Sequence, residues 1–221
     1  MHKIGVISDT HNVLREPVTA ALRHCDVILH GGDIHTEQLL TQLETIAPVY
    51  AVRGNADREW AKRLPQTLSL ELYGIHIFMI HNKKLLNKEA VTDKDLIIYG
   101  HSHQYETLCK NGQTWLNPGS CGRRRFLLPA TMAILTVPEN GVFQIERIQL
   151  ETAASPSSCL TQQKDMKALV LRVMKETDKG KPVDTIAKSC RISRELAEQI
   201  CRLYVTHPGV SADGILHKMG L

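Results

Sequence analysis

The sequence predicts an α/β fold of the α+β sandwich kind, two packed mixed β-sheets flanked by helices, followed by a small all-α C-terminal domain. Three observations carry this. Short β-branched runs alternate with amphipathic stretches from residue 3 to about 103, as in strands joined by helices. From there to about residue 150, strand-like runs follow one another around turn residues, which adds antiparallel strands. Beyond residue 160 the strand signal disappears and helical periodicity takes over.

Taken in order, Lys3–Ser8 reads as a strand around the apolar Ile4-Gly5-Val6-Ile7, and Val13–Arg23 as a helix with Pro17 near its first turn. Asp26–His30 is a second strand, and Thr36–Glu44 a helix with Thr36 as a plausible N-cap. Pro48–Arg53 is a third strand, after which Glu59–Lys62 has room for about one helical turn. Leu68–Leu72 and Ile75–Ile80 form a hairpin around Tyr73-Gly74. A helical stretch near Asn87–Thr92 precedes the strand Asp95–Tyr99. Tyr105–Lys110 and Thr114–Leu116 bracket Asn111-Gly112, and Met132–Val137 and Val142–Gln149 flank a Pro138-Glu139-Asn140-Gly141 turn. This gives a domain over residues 1–150. A linker over residues 151–160 is small and polar at Thr152–Ser158, and a helical domain occupies 161–221. The helical runs of that last part are Gln162–Glu176, Val183–Cys190, Arg194–Val205 and Ala212–Met219.

Composition excludes several classes. With 221 residues, 43% of them hydrophobic and 23% charged, the chain is an ordinary globular one able to bury a core. Aromatic residues make up only 5%, too few for a broad base-stacking platform. The net charge of +4 is modest, and its excess lies in residues 161–221, where 11 Lys and Arg face 7 Asp and Glu. Six cysteines form neither a Cys-x-x-Cys pair nor a secreted framework, so they read as reduced thiols acting as small buried hydrophobes. No basic region leads into an apolar stretch at the N-terminus, and no run has the length of a membrane span. A cytoplasmic protein without membrane contact is expected.

The chemistry concentrates at the ends of predicted strands. Asp9 and His11, Gly32-Asp33, Gly54-Asn55, His81, and Gly100-His101-Ser102-His103 each follow an apolar run directly. In a parallel sheet they would converge on one edge. Together they offer two carboxylates, one amide oxygen and four imidazoles. Oxygen and nitrogen donors on tight loops suit divalent metals of borderline hardness. Two ions about 3.5–4 Å apart, sharing a carboxylate, would use all seven groups.

These blocks, Ser8-Asp9-Thr10-His11, Gly31-Gly32-Asp33, Val52-Arg53-Gly54-Asn55, Ile80-His81 and Gly100-His101-Ser102-His103, resemble the five-block signature of calcineurin-like metallophosphoesterases, nearest to the small bacterial and archaeal phosphodiesterases. Asn117-Pro118-Gly119-Ser120 is similar to a further segment of that branch, and the likeness covers about residues 1–150. The resemblance implies one ion on Asp9, His11, Asp33 and His103, a second on Asn55, His81 and His101, and Asp33 bridging. It implies Mn²⁺ foremost, with Zn²⁺, Fe, Ni²⁺ or Mg²⁺ as alternatives. The implied reaction is in-line attack on phosphorus by a metal-bridging hydroxide, in a dinuclear phosphodiesterase or phosphatase acting on a phosphoester, with nucleotides among the candidates. Asn55, His81 and Asp57 are the catalytic candidates. Asn55 could orient a phosphoryl oxygen, and Asp57 and His35 compete as general acid, because Ala56-Asp57 stands where larger relatives place a histidine. Asn82-Lys83-Lys84 replaces the usual Gly-His after His81 and is expected to add positive charge to the pocket. A further expectation is a phosphate clamp at Arg123-Arg124-Arg125.

Thr185–Ile200 resembles a helix-turn-helix with Ala187, Ile192 and Ala197 at its packing positions, although Arg191 stands where glycine is favoured. A bundle for packing or homo-oligomerisation and a nucleic-acid reader both fit this segment. Two alternatives to the phosphoesterase therefore exist: a catalytically silent scaffold of the same fold, and a DNA-associated nuclease or regulator.

Overall fold

The computed structural model describes residues 1–122, 129–139, 142–150, 156–192 and 194–219, with side chains omitted at 156–165 and 195. The expected arginine run 123–125 lies outside these residues, as do 140 and 141 of the turn and residues 151–155 of the linker. The chain divides into two compact units, Met1–Glu151 and Thr152–Leu221.

The first unit is a sandwich of two five-stranded sheets. Its strands in chain order are β1 (His2–Ile7), β2 (Val27–His30), β3 (Val49–Ala51), β4 (Thr67–Leu72), β5 (Ile75–Ile80), β6 (Leu96–Ile98), β7 (Tyr105–Lys110), β8 (Gln113–Pro118), β9 (Ala130–Val137) and β10 (Gln144–Leu150). One sheet runs β10-β9-β1-β2-β3, with β1, β2 and β3 parallel and β9 antiparallel to both of its neighbours. The other runs β4-β5-β6-β8-β7, with β5, β6 and β8 parallel and hairpins at both edges. The hairpin turns hold Tyr73 at φ 53° and Gly74 at φ 78°, and Asn111 at φ 53° and Gly112 at φ 76°, a left-handed pair in each case that matches strand twist.

Why the strands read as continuous apolar runs is visible in their two faces. Ile4, Val6, Val27 and Leu29 meet Ile75, Ile77, Met79, Leu96, Ile98 and Leu116 in the core between the sheets. The alternate residues Ile7 and Ile28 face outward onto helices α1 (Glu16–Leu22) and α2 (Glu37–Glu44), packing with Val18, Leu22, Leu39, Leu40 and Leu43. On the outer face of the other sheet, Phe78, Ile80, Ile97 and Tyr99 gather with Val91 and Trp115. A strand buried on both faces cannot alternate with polar residues. Each such aliphatic side chain contributes about 1.5–3 kcal/mol on burial.

Differences from expectation are local. The first helix begins at Glu16 rather than Val13, with Pro17 in its first turn. Thr36 is the N-cap of α2, but its hydroxyl donates to Asn12 Oδ1 at 2.5 Å instead of accepting from the helix. The helical stretches near 59 and 87 are 3₁₀ turns, Glu59–Arg63 and Lys88–Val91. Cys25, Cys121, Cys190 and Cys201 are buried free thiols, whereas Cys109 is exposed on β7, contrary to the expected burial.

The second unit is helical: α3 (Pro156–Asp178), α4 (Val183–Cys190), α5 (Arg194–Thr206) and α6 (Ala212–Lys218). The expected linker thus gives way at Pro156 to a helix that starts six residues before the expected Gln162. Helix α3 packs against α4, α5 and α6, burying Val170 and Val173 with Ile186, Leu196, Ile200 and Ile215. No helix among the described residues is long and apolar enough to cross a membrane.

Candidate metal centre

Seven side chains meet at the C-terminal ends of parallel strands from both sheets. Asp9 and His11 follow β1, Asp33 follows β2, Asn55 follows β3, His81 follows β5, and His101 and His103 follow β6. The sequence places them at one sheet edge; the fold shares them between two. Beyond the strands, the first two loops stay hydrogen-bonded, with Asp9 N–H donating to the Gly32 carbonyl and His11 N–H to the Asp33 carbonyl, each at 3.0 Å. Five of the seven, Asp9, His11, Asp33, His101 and His103, have φ between 44° and 70°. Left-handed backbone is uncommon outside glycine, and its concentration here turns side chains inward at a cost the surrounding packing must offset.

The donor atoms form one continuous chain. His103 Nε2 lies 3.2 Å from Asp9 Oδ1, and His11 Nε2 lies 3.5 Å from His103 Nε2 and 3.9 Å from Asp9 Oδ1. Asp33 Oδ2 sits between two imidazoles, 3.8 Å from His11 Nε2 and 3.4 Å from His81 Nε2. Asn55 Oδ1 is 3.1 Å from His81 Nε2 and 2.9 Å from His101 Nδ1. Two groups within this chain, Asp9 with His11 and His103 and Asp9 with Asp33 and His81, place their donor atoms within 4.8 Å of one another.

Whether these groups fit a cation is tested by Asp9. Its Oδ2 accepts from the Ser8 hydroxyl at 2.6 Å, but its Oδ1, fully buried, accepts no hydrogen bond from the described residues. A buried carboxylate oxygen left so is costly unless a positive charge reaches it. Burial raises Asp9 to about 6, against the lowering influence of His81. Burial also acts to raise Asp33, but its hydrogen bond with His81, that imidazole's charge and the Ala56 N–H outweigh it and hold the carboxyl at about 2. His81 is raised: burial opposes its charge, while Asp33 and Asp9 favour it more strongly. Its Nδ1 donates to the Gly31 carbonyl at 2.8 Å, which fixes the tautomer and turns Nε2 toward Asp33 and Asn55. The donor set of carboxylates, imidazoles and an amide oxygen fits divalent metals.

Other sequence candidates are placed differently. Asp57 is turned into the backbone beneath the loops: its Oδ2 accepts from Asp33 N–H and Gly54 N–H, each at 2.9 Å, and its Oδ1 from His35 N–H at 2.6 Å. All three bonds are to backbone amides, so the carboxylate braces the loops that carry Asp33 and Asn55. His35 is exposed, its ring centroid 6.2 Å from that of His11. Lys83 does not add charge to the pocket as expected; its Nζ pairs with Glu106 at 2.5 Å and lies 4.6 Å above the Tyr99 ring.

Sequence reasoning missed His30 among the residues that brace the loops, and marked Asn117 and Ser120 only as part of a family segment, without their bracing role. His30, fully buried, accepts from Gly32 N–H through Nδ1 at 3.1 Å, which leaves Nε2–H to donate to the Thr10 hydroxyl at 3.0 Å. Asn117 Nδ2 donates to the Gly100 carbonyl and the Ser102 hydroxyl, both at 2.9 Å. Ser120 Oγ donates to the Asp9 carbonyl at 2.8 Å. A polar residue ending an apolar strand, as His30 ends β2, was the available signal.

A two-sheet sandwich with a polydentate carboxylate–imidazole cluster across its strand ends defines a metal-binding α/β class. Residues 2–140 match the calcineurin-like phosphoesterase superfamily domain, and the chain belongs to that superfamily. It is 34% identical over 144 residues to a probable metallophosphoesterase of Methanothermobacter thermautotrophicus, covering 59% of this chain and 84% of that protein. A phosphodiesterase of Methanocaldococcus jannaschii is 26% identical over 140 residues, covering 54% of this chain and 84% of that one. Among solved structures, zinc-complexed Vps29 of Entamoeba histolytica shares the fold with a TM-score of 0.53 at 22% identity, over 66% of this chain and 98% of its own.

Proposed function

We propose that this metallophosphoesterase is a phosphodiesterase working with two divalent cations, Mn²⁺ foremost. Asp9, His11, Asp33 and His103 would hold one, and Asn55, His81 and His101 the other, with Asp33 shared. The observation that supports this most directly is Asp33 Oδ2 standing between the imidazoles of His11 and His81 at 3.8 and 3.4 Å. When bound, such ions supply Lewis acidity, neutralising charge on the phosphoryl oxygens and acidifying an attacking water. The protein's own part is orientation. Ser8 and the His101 N–H hold Asp9 Oδ2 at 2.6 and 3.2 Å, so that Oδ1 alone faces the imidazoles. Asn55 turns Oδ1 toward two imidazoles and offers its Nδ2 donors to a phosphoryl oxygen. The likeness to the archaeal phosphodiesterase favours a diester over a monoester.

The test is hydrolysis of a generic aryl phosphodiester and the matching monoester with added Mn²⁺. The diester should be cleaved faster. Asp33→Asn and His101→Ala should each lower turnover about a thousandfold or more while the protein stays folded. Near-wild-type rates in either variant would refute the assignment.

A further inference from the structure

The helical unit holds a feature the phosphoesterase reading does not use. Helix α4 has eight residues, Val183–Cys190, and a three-residue connection leads into α5 at Arg194. The break is made by Arg191, which adopts φ 55°, ψ 46°, the left-handed conformation that ends helices. Its N–H donates to the Lys188 carbonyl at 3.2 Å, and the Ile192 N–H donates to the Ala187 carbonyl at 3.0 Å, closing a Schellman motif. Arginine therefore takes the turn conformation that glycine usually supplies. Arg172, reaching from α3, donates to the Ser189 carbonyl at 3.0 Å and adds positive charge at the C-terminal end of α4. Behind the turn, Ile186, Ala187, Cys190, Leu196, Ala197 and Ile200 are buried, so one side of both helices is committed to the core. Two short helices with a tight turn, locked from behind by a third, form a helix-turn-helix.

The opposite side of this motif decides what it could meet. Arg191, Arg194, Glu198, Gln199 and Arg202 are exposed there. Arg194 pairs with Asp184 at 3.1 Å, both side chains about two-thirds exposed at 67% and 66%. Among the described residues, the exposed large apolar side chains of this unit are Leu171, on α3, and Val205, near the far end of α5. Among the described residues from Arg191 to Arg202, every exposed side chain is polar or charged, so they present no apolar centre of the kind protein interfaces bury. Arginine and glutamine are instead the side chains that read guanine and adenine edges in the major groove, and glutamate accepts from cytosine. Arginines at the turn and along the helix suit the flanking phosphates.

We propose that the C-terminal unit binds duplex DNA, with α5 as the helix that enters the major groove. This is independent of the phosphoesterase reading. The full-length protein is titrated into a fluorescein-labelled random-sequence duplex in the presence of EDTA, followed by anisotropy, and bound duplexes are then selected and sequenced. Saturable binding is expected, weakening steeply as salt rises from about 50 to about 200 mM, with a recurring short motif after selection. The double charge reversal Arg194→Glu/Arg202→Glu should weaken binding about tenfold or more, with unchanged helicity and melting temperature. Arg191→Gly, which keeps the turn and removes one phosphate contact, should weaken binding uniformly across sequences and lower the salt slope by about 1. The proposal is overturned by absence of binding at the lowest salt, by binding insensitive to salt, or by a charge-reversed protein that binds as wild type. It is equally overturned if the double variant changes the oligomeric state while the wild type ignores DNA. If the double variant fails to fold, Gln199→Ala replaces it, and selection must then lose preference at one base position.

Discussion

Asp9 is a carboxylate whose protonation and metallation compete. Raised from 3.8 to about 6, it contributes most to the metal-free protein when protonated, below about pH 4, and that contribution is lost as pH rises through 6. A cation must displace this proton. Metal affinity measured by calorimetry should therefore drop steeply below pH 6, with proton uptake by buffer on binding, and Asp9→Asn should reduce the proton release at pH 6, leaving the share of His81. His30 runs the other way: burial lowers it from 6.5 to about 3, so its contribution is complete above the ordinary histidine range and fades as pH falls toward 3. Urea unfolding across that range should show the loss in the wild type and a shallower acid limb in His30→Gln. In the helical unit, Arg191→Gly should gain about 1 kcal/mol by relieving left-handed backbone, read as a higher urea midpoint.

At the scale of elements, two glycines separate turn geometry from site geometry. Gly74 sits at φ 78° in the β4–β5 hairpin, and a Cβ added there would meet nothing within 4 Å, so Gly74→Ala should cost about 1–2 kcal/mol and leave hydrolysis unchanged. Gly100 lies just beyond β6, where a Cβ would fall 2.1 Å from Ser8 Oγ and 2.7 Å from Asp9 Oδ2. Gly100→Ala should lower metal-dependent hydrolysis about tenfold or more, because the His101 loop must move off the β1 loop. The same elements show what a sequence can carry. Ile4–Ile7, Val27–His30 and Ile75–Ile80 are legible as strands because both faces are buried. Burial on both faces does not say which sheet a strand joins, so the division of the ligand loops between two sheets was not legible. The strand-end positions of Asp9, Asp33 and His81 were. The work of Asp57 was not, since its partners are backbone amides that every residue carries, and the diversion of Lys83 depends on Glu106, twenty-three positions away.

For the molecule as a whole, the two units should answer to different ligands. Added Mn²⁺ should raise the melting temperature of the transition reported by Trp60 and Trp115, both in the first unit, by fluorescence. The helical signal of the second unit should stay where it is. A larger consequence lies in where the seven donors originate. Asp9, His11, Asp33 and Asn55 extend from one sheet, and His81, His101 and His103 from the other. Any ion gripped by both sets is a rivet driven through the open rim of the sandwich. Chelation should then let that rim breathe: hydrogen exchange ought to quicken where β1, β2, β5 and β6 end, while the opposite rim, stitched by the β4–β5 and β7–β8 hairpins, keeps its protection.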